Sequence, residues 1–168
     1  MQEGCKTMVT NGINPWKCTG AIAFTLAFHV IPAFANAANF EPLILSRGFQ
    51  PSRGVVSGFT GGSISLPAVT TVRDRQNQLC LGFGDPTPDH ILELRADFPQ
   101  LTVEINSRGV DTTLIIRGPD NIFRCGDNTE LTLDARVTDT DWKQGTYQIW
   151  VGTKEMGARR RYRLSVRE

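Results

Sequence analysis

Histidine and lysine are scarce in this chain, apolar runs are short, and neither sign of charge prevails. The 168 residues carry 18 basic and 17 acidic side chains, for a formal charge of +1. That balance leaves no bulk attraction to nucleic acid or to an anionic membrane. Only His29 and His90 can serve as imidazoles. No His-Glu-x-x-His, Gly-x-Ser-x-Gly or Cys-x-x-Cys occurs, which removes the zinc-protease helix, the serine-hydrolase elbow and the paired-thiol signatures. One or two histidines cannot supply the ligand set of a usual catalytic zinc. No repeat, charge block or low-complexity tail interrupts the sequence.

The longest apolar stretch runs from Ala21 to Ile31, broken by Thr25 and His29. A membrane-spanning helix needs about 20 residues, so this run is short for one. Lys6 and Lys17 precede it, Pro32 stops it, and Ala35-Asn36-Ala37 follows. Positive flank, short apolar core and small residues at cleavage spacing are the order of a secretory signal. The sequence therefore predicts a signal over 1–37, cut after Ala37 or, second, after Ala35. An uncleaved membrane anchor is the competing reading. Cleavage would remove Lys6, Lys17 and Glu3 and leave residues 38–168 formally neutral, with no stable membrane insertion expected. Of the basic residues that remain, only Lys143 and Lys154 are lysines. Arginine favours forked pairing with carboxylates and stacking on aromatics. Cross-strand pairing with Asp and Glu is its expected use here, ahead of a ligand site.

Cys5 and Cys18 would leave with the signal, and Cys80 and Cys125 would remain. An even pair in an oxidising compartment favours a disulfide. Two buried free thiols or a partial metal site are the alternatives.

Residues 38–54 read as an extended lead-in, with Pro42 and Pro51 confined to edges or turns. Beyond it, apolar residues alternate with polar ones at Leu101/Val103/Ile105, Tyr147/Ile149/Val151 and Tyr162/Leu164/Val166. Period two with β-branched and aromatic residues marks half-buried strands. Asp111–Arg117 is more continuously apolar and predicts a central strand, and Gly118-Pro119-Asp120-Asn121 predicts the tight turn of a hairpin into Ile122–Cys125. Further strands are expected near Val55–Phe59, Ser63–Leu66, Leu79–Phe83 and His90–Arg95. About eight short strands require a second apolar layer, so the expected fold is all-β, an antiparallel sandwich over 55–168.

Four ordered blocks carry a family resemblance. They are Gly58-Phe59-Thr60-Gly61-Gly62-Ser63, Pro88-Asp89-His90-Ile91-Leu92-Glu93-Leu94, Asp111-Thr112-Thr113-Leu114 with Gly118-Pro119-Asp120, and Gly145-Thr146-Tyr147-Gln148-Ile149-Trp150-Val151-Gly152. In that order the stretch from Gly58 to Glu168 resembles the bacterial pre-peptidase C-terminal domain family. The resemblance implies a jelly-roll-like sandwich in an exported protein, serving as an ancillary module beside peptidases or as a binder of matrix polymers. The chain departs from the pattern at Cys125-Gly126-Asp127-Asn128, where similar sequences often have two adjacent aspartates.

Calcium is the one cofactor the residues suggest, with Asp111, Asp127 and Asn128 as candidate ligands. Asn128 supplies no formal charge, which weakens such a site. His90 is expected to be a structural strand-edge residue and not a catalytic one. Most of Asp111, Asp120, Asp127, Asp134, Asp139 and Asp141 are expected in turns, bonding to local backbone. Trp142 and Trp150 are the candidate ligand-facing aromatics, with core packing of both as the favoured alternative. The functional expectation is an exported, non-catalytic module binding a protein or polysaccharide partner, periplasmic or secreted. A regulator or accessory subunit of a separately encoded peptidase and a small carboxylate-dependent hydrolase are its rivals.

Overall fold

The computed structural model describes residues 37–129 and 131–168. The expected signal, Cys5 and Cys18 lie outside the described residues.

The alternating segments become strands because each can bury one face and hydrate the other. In chain order they are β1 (Leu43–Leu45), β2 (Val55–Phe59), β3 (Ile64–Ser65), β4 (Phe83–Gly84), β5 (His90–Leu94), β6 (Phe98–Asn106), β7 (Thr112–Arg117), β8 (Phe123–Gly126), β9 (Arg136–Trp142), β10 (Gly145–Thr153) and β11 (Arg161–Arg167). Four-residue helix α1 (Leu66–Val69) follows β3. The larger sheet is built around β10, which pairs antiparallel with β5 and with β7, while β7 also pairs with β8. The smaller sheet runs β2-β11-β6-β9, antiparallel throughout. The two form the expected β-sandwich. One pairing departs from the antiparallel rule: β1, inside the predicted lead-in, runs parallel to β5, with Leu43 opposite Leu92.

The main core takes Leu92, Tyr147, Ile149 and Leu114 from the larger sheet, with Leu101, Val103, Tyr162 and Leu164 from the smaller. Each fully buried Leu or Val contributes about 1.5–3 kcal/mol relative to exposure. A second cluster contains Leu66, Cys80, Ile115, Cys125 and Trp150. Trp150 and Cys125 both lie opposite Ile115 in register, on the side of the larger sheet away from Ile149 and Val151. The excursion from Leu66 to Gly82 supplies Leu66 and Cys80 to this cluster, so β7 is buried along both faces.

Cys80 and Cys125 form a disulfide with a Cα separation of 5.2 Å, fastening that excursion to β8. The expected strand at Ser63–Leu66 shortens to β3 because Pro67 opens α1. The one at Leu79–Phe83 shortens to β4 because Gly82 sits at φ 110°, where a Cβ would come within 1.9 Å of Thr113 Oγ1. Strand β9 is not anticipated by the sequence pattern. Its inward positions include Asp139, and the alternation slips near Asp141, which sits at φ 57°.

Candidate functional site

The Pro88-Asp89-His90 segment opens β5 at the junction of both sheets and the lead-in. His90 is 0% exposed. Its Nδ1 lies 2.8 Å from the Glu41 carbonyl oxygen, and a carbonyl only accepts, so Nδ1 carries the proton. Nε2 is then the acceptor for the Tyr162 hydroxyl, 2.9 Å away on β11. Phe40 packs against both rings, with centroids 5.6 Å from His90 and 6.4 Å from Tyr162. Burial holds the imidazole below its ordinary pKa and pushes the Tyr162 phenol up, which keeps the pair neutral and the hydroxyl a donor. Both ring nitrogens are therefore engaged, and among the described residues no serine or cysteine side chain hydrogen-bonds to either.

Asp89 is nearly as enclosed. Its Oδ2 accepts from the Val151 N–H at 2.7 Å, and its own N–H donates to the Ile149 carbonyl at 2.7 Å. Desolvation dominates that hydrogen bond and raises the carboxyl from 3.8 to about 7. The Asn39 and Phe40 N–H groups donate to the Pro88 and Asp89 carbonyls, each at 2.9 Å. The segment thus fastens the lead-in, β10 and the opposite sheet together.

Asp111, Asp127 and Asn128 do converge. The Lys154 ammonium stands 3.5 Å from Asp111 and 3.4 Å from Asp127. With its nitrogen turned inward, the Asn128 amide donates to the same two carboxylates at 2.9 and 3.0 Å. Calcium takes six to eight oxygens. Asp111, Asp127, the Asn128 amide and the Leu133 carbonyl converge there, fewer oxygens than calcium takes, and the Lys154 ammonium competes for the two carboxylates. Lys154 is the residue that sequence reasoning missed; it lies 27 positions beyond Asp127 and carries no local signal.

The two candidate ligand-facing tryptophans are both buried. Trp142 is 0% exposed, donates from Nε1 to the Asp139 carbonyl at 2.9 Å, and lies under the Arg124 guanidinium at 4.2 Å. Trp150 does point away from the main core, as the alternation requires, but it is 4% exposed beneath the disulfide-tied excursion, and its Nε1 donates to the Pro86 carbonyl. Beside Trp142, Arg124 and Asp139 form a buried ion pair at 2.7 Å. Losing one partner of such a pair costs about 3–5 kcal/mol. Its Asp139 was expected in a turn and instead occupies an inward strand position.

Several arginines pair across strands as expected: Arg136 and Arg167 both bind Glu104 on the outer face of the smaller sheet. Among the described residues Arg161 and Arg163, at the other end of that face, form no such pair.

No family model matches the sequence, and no curated protein matches it. Among solved structures the chain is similar to the pre-peptidase C-terminal domain of collagenase from Bacillus anthracis. That similarity has 14% sequence identity and a TM-score of 0.44, over 79% of this chain and 100% of that chain.

Proposed function

We propose that the protein is an exported, non-catalytic β-sandwich module that binds an extracellular polymer or protein partner. The observation that supports this reading is the sealing of His90. The one imidazole beyond the predicted signal is buried, has both nitrogens bonded, and is neutral in its ground state. A general base needs access to the proton it takes, and this imidazole offers none. The Cys80–Cys125 disulfide suits an oxidising compartment, in keeping with the signal read at 1–37. Periplasmic and fully secreted locations both fit.

The test is affinity capture by the purified protein from the periplasmic and extracellular fractions of its own cells. We expect a partner or polymer to be retained and recovered chemically unchanged. Recovery of a cleaved or otherwise converted partner would contradict the reading.

A further inference from the structure

We propose that the outer face of the smaller sheet, at the end marked by Arg161 and Arg163, binds an acidic polysaccharide. This deepens the reading of the protein as a binding module and rests on it.

Strand β11 alternates buried Tyr162, Leu164 and Val166 with exposed Arg161, Arg163 and Arg167. Register places Arg163 between Ser57 of β2 and Asn106 of β6, and Arg161 opposite Phe59. At the far end of this face Glu104 neutralises Arg136 and Arg167. At the near end the picture changes. Arg108 comes in from the turn after β6 and Arg160 from the loop before β11, and with Arg161 and Arg163 they line a concavity of about 700 Å³. Arg159 stands next to them in sequence. Among the described residues none of these five arginines forms an ion pair, and no carboxylate lines the concavity. The Asp134 carboxylate that reaches the adjoining turn is buried and accepts from the Ser107 N–H and hydroxyl. A formally neutral domain thus concentrates unneutralised positive charge at one place, which raises the local concentration of an anionic ligand.

Two features of the backbone hold the arginines in position. Arg108 sits at φ 64°, a left-handed conformation that glycine or asparagine would adopt more readily. Gly109 follows at φ 94°, so the two residues make a tight turn that fixes where Arg108 leaves β6. Thr60, buried against the preceding loop, donates from Oγ1 to the Ala158 carbonyl at 2.8 Å and accepts the Arg160 N–H at 2.9 Å. The loop carrying Arg159 and Arg160 is therefore ordered before any ligand arrives, which lowers the entropy cost of binding.

Guanidinium forks match the paired oxygens of carboxylates and sulfates. Ser57 and Asn106, on either side of Arg163, offer neutral donors and acceptors for sugar hydroxyls. The face is a poor match for single-stranded nucleic acid, which needs free aromatic faces for stacking. Phe59 is the aromatic exposed there, and its ring lies under the Arg159 guanidinium at 4.9 Å. The concavity also lacks an apolar pocket of the kind that anchors a peptide side chain.

The test uses the purified protein titrated with heparin and with polygalacturonate of defined length, each at about 50 and about 200 mM salt. We expect saturable binding that weakens with salt. Arg161→Ala with Arg163→Ala should weaken it by about tenfold or more. Arg73→Ala with Arg95→Ala removes the same charge elsewhere and should change affinity by less than about twofold. Circular dichroism of both variants reports that they are folded; the substituted side chains are exposed in each case. Equal losses in the two variants, no saturable binding, or tighter binding of a single-stranded oligonucleotide of equal charge would each overturn the assignment. Each of those results leaves the wider module reading standing. That reading fails separately, if size-exclusion chromatography shows the polysaccharide shortened by the protein.

Discussion

Removing the Cys80–Cys125 bridge should loosen one side of the sandwich without dissolving it. The bridge spans 45 residues of sequence, and the chain-entropy model gives about 4 kcal/mol for closing a loop of that length. Measured losses usually fall below the model, so we expect reduction, or Cys80→Ser with Cys125→Ser, to lower stability by about 2–4 kcal/mol. With a urea slope of about 2 kcal/mol/M, that corresponds to a midpoint shift of about 1–2 M. The two cysteines belong to the cluster under the excursion and not to the main core. Far-UV circular dichroism should therefore survive reduction in the absence of denaturant. Trp150 should gain water and shift its emission to the red, because its cover carries Cys80. Non-reducing peptide mapping of alkylated exported protein is the companion measurement. Uptake of alkylating agent by both cysteines without prior reduction, or an unchanged midpoint, would refute the reasoning.

Asp89 predicts a pH dependence. Its carboxyl has a folded pKa raised from 3.8 to about 7, so between those values the unfolded chain sheds a proton that the native state keeps, and stability falls as pH rises through that window. His90, lowered from 6.5, acts oppositely: below that value the unfolded state takes up a proton that the native state resists, so stability falls with acid. Asp89→Asn should retain an acceptor for the Val151 N–H and gain stability over the wild type by up to about 4 kcal/mol between pH 5 and 8; urea melts showing a difference independent of pH would contradict this. At the Asp111–Asp127 cluster, calcium should bind the wild type no more tightly than about 10⁻⁴ M by titration calorimetry. Lys154→Met should cost at most about 1 kcal/mol and raise calcium affinity, whereas sub-micromolar binding by the wild type would mean the ammonium is displaced. Intact-mass analysis of exported protein should show a chain starting at Ala38, or failing that Asn36, and full-length chain in the membrane fraction would contradict the signal.

Strands β2, β6, β10 and β11 were legible because alternation follows from burial of one face. What a second layer decides was not. Trp150 reads as outward-facing from its own strand, and only the disulfide-tied excursion, beginning more than 80 residues earlier, covers it. Strand β9 was hidden because Asp139 is inward and charged, tolerated there by Arg124. His90 was legible as a structural residue, but its partners Glu41 and Tyr162 lie 49 and 72 positions away. The arginine-lined concavity was obscured for the same reason. The Arg159-Arg160-Arg161 run and Arg163 are plain in sequence, yet cross-strand register decides which arginines meet Glu104 and which meet Ser57 and Asn106.

The most direct test of the central claim is an activity survey of the wild type and His90→Gln against broad peptide and glycoside substrate panels, read by mass spectrometry. Both proteins should leave every substrate at the buffer rate. Turnover by the wild type would contradict the account, and a loss of about a thousandfold in His90→Gln would identify the buried imidazole as a catalytic group after all.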